Sequence, residues 1–262
     1  MIIDGRKIAE DIYARTRERV MQLGRAPHLT IITCAPSFET GKYLSLKKKK
    51  AFDVGVKTSI IELDSNNTTE DFIASIKTSE DSDGVIVQLP LPKTVDVDMV
   101  VRNISSRQDV DALNSENHAI LSPVVGAIKE ILGAHDIDVL GKKVTIIGKG
   151  RLVGAPAELW FKAEGAIVSI VTKETKDIAM YTRDAEIIVC GAGVSGMLTP
   201  DMISEGVVIL DAGTSEEGGE LRGDADPSCA AKALLYTPVP GGIGPITIAV
   251  LLSNVVDCAE RK

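Results

Sequence analysis

Short β-branched and aliphatic runs alternate with segments of helical periodicity, and that alternation limits what this chain can fold into more than any other feature. Residues 5–23 place Ile8, Ile12 and Val20 among charged residues at helical spacing. A β-branched run over 28–34 predicts a strand. A helix over about 39–54, a strand over 57–63, a helix over 69–78 and a strand over 85–89 follow. The order β, α, β, α, β implies a parallel sheet with right-handed crossovers. A second series begins after Gly141. It has a strand over 143–147, a glycine-rich turn, a helix near 156–164 and strands over 166–171, 185–190 and 207–211. This is the pattern of a doubly wound nucleotide-binding sheet. Aromatic residues make up only 3% of the chain, so the core must rest on Val, Ile, Leu and Ala, which suits parallel strands covered on both faces. The expected fold is α/β in two domains. An N-terminal α/β domain with a mostly parallel sheet spans 1–118, and a Rossmann-like doubly wound domain spans 119–244. The boundary lies within 114–142, and a helix over about 245–262 returns to the first domain.

Charge and cysteine usage exclude several classes of function. A net charge of −8 argues against general nucleic-acid binding. Cys34, Cys190, Cys229 and Cys258 are far apart and form no C-x-x-C pair, which reads as reduced thiols in a cytoplasmic protein. The first residues carry no signal-peptide pattern, and no apolar run is read as reaching transmembrane length, so no membrane partner is expected. His28, His118 and His135 are scattered and read as structural, and no metal is expected.

The segment Thr237-Pro238-Val239-Pro240-Gly241-Gly242-Ile243-Gly244-Pro245 cannot be a regular helix or a central strand. It predicts a rigid loop whose backbone approaches a ligand, pinned to the start of the apolar helix that follows. Gly148-Lys149-Gly150-Arg151-Leu152-Val153-Gly154 follows the strand over 143–147, where glycines permit a tight turn and helix N–H groups can receive a pyrophosphate. Its spacing is G-x-G-x-x-x-G, one residue longer than the common dinucleotide fingerprint. The next strand ends on Lys173, where an acidic residue would select the ribose hydroxyl of NAD. Lys173 and Lys149 favour NADP, and adjacent Glu174 leaves NAD possible. Tyr43 and Lys47 are four residues apart on one helical face. Gln88 leaves an apolar strand in Val87-Gln88-Leu89-Pro90-Leu91-Pro92 and reaches the same carboxyl edge of the sheet. Asp109-Val110-Asp111 adds carboxylates near the boundary.

Together these residues resemble the bifunctional methylenetetrahydrofolate dehydrogenase/cyclohydrolase family. The resemblance runs over almost the whole chain. It is carried by Asp4-Gly5, Tyr43-x-x-x-Lys47, the Gln-Leu-Pro-Leu-Pro string after Val87, Asp109-Val110-Asp111, Gly148, Val153-Gly154-x-Pro156, Asp211-Ala212-Gly213, Gly223-Asp224 and the Thr237 loop with Thr247. It implies a homodimeric two-domain enzyme with folate in a cleft and nicotinamide beside it. Lys47 is then the catalytic lysine, Tyr43 stacks on or orients the folate, Gln88 supports Lys47, and Asp111 holds the pterin. Leu89 and the loop residues Pro240, Gly241 and Gly242 line the folate site. Gly148, Lys149, Gly150, Arg151, Val153, Gly154, Lys173, Gly193 and Thr214 contact the cofactor. Thr40 stands where the family usually has a serine. The chain departs from the family pattern at Gln108, Ala112, Pro123 to Val125, Lys149-Gly150 and Val194-Ser195.

The reaction implied has two steps. The methylene carbon of 5,10-methylenetetrahydrofolate gives a hydride to NADP⁺, and water then opens the methenyl product to 10-formyltetrahydrofolate. Lys47 is the candidate for the proton transfers. A lysine with its ordinary pKa of about 10.4 is a poor base at neutrality, and partial burial, Lys48 to Lys50 and the cationic intermediate are all expected to lower it. Two other readings stay open: a shikimate-dehydrogenase-like oxidoreductase on the same plan, and a non-catalytic nucleotide- or folate-binding regulator.

Overall fold

The computed structural model describes residues 1–34, 38–114, 120–217 and 219–262, and for residues 38–40 and 42 the backbone alone. The chain divides into two compact units. One comprises Glu10–Pro123 with Ile248–Lys262, the other Met1–Ala9 with Val124–Thr247. The expected boundary at 118/119 and His118 fall on 115–119, outside the described residues.

The first unit carries most of α1 (Gly5–Leu23), then β1 (His28–Cys34), α2 (Phe38–Asp53), β2 (Lys57–Leu63), α3 (Thr69–Lys77), β3 (Gly84–Val87) and α4 (Val97–Arg102). Its sheet has the order β2-β1-β3, all parallel, with Leu29 opposite Gly84 and Ile31 opposite Ile60. The central strand β1 is buried over its last six residues, as a strand covered on both faces must be. Thr68 and Asp71 start α3 with a capping box, each satisfying a backbone N–H of the other. Ile32, Phe72, Ile76, Val87, Val100 and Ile104 form the core between α3, α4 and the sheet. Beyond β3, Val85 makes a single parallel bridge to Asp109, and the Val85 N–H donates to the Gln108 carbonyl at 2.8 Å. That bridge brings the Asp109-Val110-Asp111 segment alongside β3.

The second unit holds α5 (Pro123–Ala134), β4 (Lys143–Ile147), α6 (Gly154–Ala163), β5 (Ile167–Val171), α7 (Ile178–Thr182), β6 (Ile187–Cys190) and β7 (Val208–Asp211). It continues with a hairpin of β8 (Ser215–Glu217) and β9 (Glu220–Arg222), then β10 (Leu235–Tyr236). Its parallel sheet has the order β10-β7-β6-β4-β5. The chain leaves β4 to one side for β5 and returns to the other side for β6. The crevice at the carboxyl ends of β4 and β6 is therefore the topological switch point, where open α/β sheets bind ligands. Helix α5 lies inside the segment read from sequence as a boundary. Val125, Ile128, Ile131 and Leu132 recur at helical spacing and are buried.

Helix α8 (Ile243–Glu260) closes the chain, and residues 248–262 belong to the first unit. By length and composition α8 is apolar enough to cross a membrane, contrary to the expectation that no run reaches that length. Two-thirds of it is buried inside the protein (67%), so its apolar surface is spent on the core. Asn254 on α8 donates from Nδ2 to the carbonyls of Val110 and Leu121, at 2.9 and 3.1 Å. Arg19 on α1 bonds Asp257 and Glu260.

Candidate active site

In the first unit, four of the predicted residues converge. Lys47 lies on α2, on the same helical face as Tyr43, and is only 6% exposed. Its ammonium donates to Gln88 Oε1 at 3.0 Å and lies 5.2 Å from the centre of the Tyr43 ring. Gln88 is set by its backbone, whose N–H donates to the Ile32 carbonyl on β1. Its amide nitrogen donates to the Leu89 carbonyl at 3.0 Å, which leaves Oε1 as the acceptor for Lys47. Because β1 and β3 are neighbours, the helix after one strand and the glutamine after the other meet at one sheet edge.

Asp111 completes the group electrostatically. Burial pushes the Lys47 ammonium below the ordinary lysine value, and the attraction of Asp111 opposes that shift. Burial pushes the Asp111 carboxyl up, opposed by Lys47. Burial raises the Tyr43 phenol, and Asp111 adds to it. The phenol therefore stays protonated at neutral pH. Tyr43 as a residue is nonetheless 36% exposed. The lysine run does not contribute as expected. Lys48 and Lys49 are exposed, and Lys50 pairs with Glu10 at 2.7 Å over the Tyr13 ring. Burial alone depresses Lys47. The side chain of Thr40 lies outside the described residues.

The two carboxylates of Asp109-Val110-Asp111 do different work. Asp109 is fully buried and accepts the N–H groups of Leu113 and Asn114, at 3.0 and 2.8 Å. It shapes the turn that presents Asp111. The Gln108 Nε2 donates to the carbonyls of Ser79, Glu80 and Ser82. The glutamine amide gathers these carbonyls without bringing in a charge. Ala112 stands at φ +52°, a left-handed position.

In the second unit, the glycine-rich turn lies at the carboxyl end of β4. Gly148 has φ +93°, and a Cβ there would stand 2.6 Å from the Gly191 carbonyl oxygen. A Cβ on Gly154 would stand 2.0 Å from the Gly148 oxygen. Both positions admit only glycine. Gly150 has no such restriction from the protein itself, with its nearest neighbour at 3.9 Å. Val153 precedes α6 and makes no side-chain cap hydrogen bond to the helix start. The Gly148 N–H donates to the Val171 carbonyl, which sets the end of β5 beside the turn. Lys173 is exposed just past that end. Lys149 is exposed and 3.6 Å from Glu158, which also accepts from Lys162. Arg151 is exposed on the same turn. Gly193, at φ +69°, lies next to Thr214, whose carbonyl oxygen would be 3.7 Å from a Cβ there. A tight glycine turn, an uncapped helix start and two lysines at adjacent strand ends fit a dinucleotide phosphate.

The loop with Pro240, Gly241 and Gly242 also belongs to this unit. The Gly242 N–H donates to the Pro238 carbonyl at 2.7 Å, and the Gly5 N–H donates to the Gly241 carbonyl at 2.9 Å. A Cβ on Gly5 would fall 1.8 Å from the Gly242 oxygen, so only a glycine lets this segment lie against the proline–glycine loop.

One pair of acidic residues was quoted from sequence without a role. Asp211, at the end of β7, accepts the N–H groups of Gly213 and Ala225. Asp224 accepts those of Ala192, Gly193 and Val194. Each aspartate sits beside a glycine, and that glycine leaves room for the other aspartate. A Cβ on Gly213 would meet Asp224 Cγ at 2.1 Å, and one on Gly223 would meet Asp211 Oδ2 at 2.2 Å.

Comparison with known proteins agrees with both units. A family model described as the tetrahydrofolate dehydrogenase/cyclohydrolase catalytic domain matches residues 3–111, and one described as the NAD(P)-binding domain of the same family matches residues 122–262. The bifunctional protein FolD of Macrococcus caseolyticus is 35% identical over 277 residues, covering 99% of this chain and 98% of that protein. The crystal structure of the bifunctional FolD methylenetetrahydrofolate dehydrogenase/cyclohydrolase of Campylobacter jejuni superposes with a TM-score of 0.96 at 32% identity, covering 100% of this chain and 99% of that one. The Trypanosoma brucei enzyme, solved with NADP cofactor and an inhibitor, gives 0.93 at 31% identity, covering 100% and 97%. With both of its units matched in order, the chain belongs to the tetrahydrofolate dehydrogenase/cyclohydrolase family.

Proposed function

We infer that this protein is an NADP-dependent methylenetetrahydrofolate dehydrogenase that is also a methenyltetrahydrofolate cyclohydrolase. The observation that carries the reading is a buried lysine held by a glutamine beside a tyrosine, in a chain whose family match spans both units. The bound dinucleotide supplies a hydride acceptor for the methylene carbon. The protein's part in that step is orientation: the Tyr43 ring face and Asp111 hold the folate ring, and the β4 turn with Lys149 and Lys173 holds the phosphates.

In the hydrolytic step, water adds to the cationic methenyl carbon and its proton passes to the neutral amine of Lys47. The C–N5 bond of the resulting carbinolamine then breaks as its hydroxyl becomes the formyl carbonyl. N5 takes up a proton, and one proton is released overall. Burial of Lys47 favours the neutral amine this step needs, and the acceptor oxygen of Gln88 holds its direction. Leu89, Pro240, Gly241 and Gly242 line the folate site, and Gly193 and Thr214 the cofactor site. We assign the folate chemistry to residues 1–118 with the C-terminal helix, and NADP binding to 119–244. A homodimer is the assembly proposed, as the family resemblance implies, and the scattered cysteines support a cytoplasmic setting. A shikimate-dehydrogenase-like activity is not favoured, because it gives the Lys47 group and the proline–glycine loop no role.

One spectrophotometric assay tests the reading. Purified protein should reduce NADP⁺ in the presence of methylenetetrahydrofolate, with NAD⁺ as the poorer acceptor, and should then speed the decay of methenyl absorbance. Failure of both activities, with folded protein, rejects it.

A further inference from the structure

The loop after β6 poses a problem that its surface position does not explain. Ala192, Gly193 and Val194 are all exposed, yet none of their three N–H groups is left to water. Asp224 Oδ2 accepts from Ala192 at 2.7 Å and Gly193 at 3.1 Å, and Oδ1 accepts from Val194 at 2.8 Å. The carboxylate that gathers them is fully buried. Burying an anion under a surface loop is costly, and three charge-assisted hydrogen bonds to consecutive amides offset that cost only while the loop keeps one conformation. Asp211 supports the arrangement from below. Its Oδ2 accepts from Ala225, the residue after Asp224, and Thr237 Oγ1 accepts the Asp211 N–H at 2.7 Å. Gly213 and Gly223 leave the space that the two carboxylates fill.

This loop adjoins the β4 turn. A Cβ on Gly148 would meet Gly191 and Ala192, and one on Gly191 would meet Val153 at 2.5 Å. The two loops thus stand side by side at the switch point of the sheet. We propose that Asp224 is a positioning residue for the dinucleotide: its buried carboxylate fixes residues 192–194 in the conformation that walls the NADP pocket. The proposal rests on the dehydrogenase reading above, and Asp224 acts through backbone amides without touching the reacting atoms.

The test is Asp224→Asn, which replaces one accepting oxygen with a donor facing donors. NADP⁺ affinity by titration calorimetry should fall at least tenfold, while the KM for methylenetetrahydrofolate stays within twofold. In the dinucleotide-free protein, amide hydrogen exchange at 192–194 should accelerate at least tenfold, with the strands β4 and β6 still protected. An NADP⁺ affinity within twofold of wild type, or acceleration spread evenly over β4 and β6, overturns the proposal. Should the variant not fold, the wild-type protein decides: slow exchange at the amides of these three exposed residues supports the anchor, and exchange at the rate of an open loop overturns it. A wild-type protein that does not bind NADP⁺ at all overturns the functional reading itself. That outcome is distinct from a wild type that binds it and a variant that binds it equally well.

Discussion

At the scale of single residues, Lys47 shows how burial makes chemistry available. Its ammonium is out of water, and only one of its three donors meets Gln88, so the neutral amine is favoured beyond what a surface lysine allows. The base form is the deprotonated one. Cyclohydrolase activity should therefore rise with pH through the lowered Lys47 pKa, giving an acid-side limb in the rate profile. Lys47→Met should lower the methenyl hydrolysis rate about 100-fold or more, the size of a lost general base. A variant retaining more than about a tenth of the rate would remove Lys47 from the proton transfers. Ala112 carries the opposite lesson. Its left-handed backbone costs about 1–2 kcal/mol for a residue with a Cβ, and glycine relieves it at an entropic cost of about 0.5–1 kcal/mol. Ala112→Gly should stabilise the protein by about 0.5–1 kcal/mol in urea denaturation, and a destabilised variant would contradict the strain.

Elements bring these residues together, and here the legible and illegible parts of the sequence separate. Apart from β10, a two-residue strand, the strands of both sheets were readable as short apolar or β-branched runs, as in the Ile187–Cys190 strand, buried at every position. Tyr43, Lys47 and Gln88 were readable because helical spacing and a strand end fix where side chains go. Helix α5 was not, because a glycine at 126 and a proline at its first position imitate a linker. The different work of Asp109 and Asp111 was hidden for another reason: it depends on which carboxylate meets the Leu113 and Asn114 amides, and spacing does not encode that. Asn254 belongs to the same class. In sequence it is one polar residue in an apolar helix, and in the structure it ties α8 to the carbonyls of Val110 and Leu121. Asn254→Ala leaves both carbonyls without this donor and should cost about 2–3 kcal/mol. Because Val110 precedes Asp111, the variant should also raise the KM for the folate substrate. A loss below about 0.5 kcal/mol in thermal or urea unfolding would show that α8 is held by apolar packing alone.

For the molecule as a whole, the Asp211–Asp224 pair couples the second unit's stability to pH. Burial first, and the charge of Asp224 after it, raise the Asp211 carboxyl to about 7, against the lowering effect of its backbone donors. The ionisable groups facing it are Asp224, Cys190, Cys229 and Tyr236, and of these the two thiols and the phenol are themselves pushed upward. The sign follows from proton counts. Between the unfolded value of 3.8 and about 7, the folded state holds a proton on Asp211 that the unfolded state has released. Stability from this group is therefore complete below about pH 4 and is lost as pH rises through 7. Carboxylates held low by a cation, such as Asp83 with Arg25 and Glu186 with Lys142, act in the opposite sense and at lower pH, so they leave this window clear. A separation of three pH units corresponds to at most about 4 kcal/mol. Asp211→Asn keeps an accepting oxygen and cannot ionise. The unfolding free energy of the variant relative to wild type should shift in the variant's favour by about 2–4 kcal/mol between pH 5 and pH 8. Groups common to both proteins, including the depressed His28, cancel in that difference. A difference constant to within about 0.5 kcal/mol across the range would mean that Asp211 is ionised throughout, and that its two amide donors outweigh both its burial and its acidic neighbour.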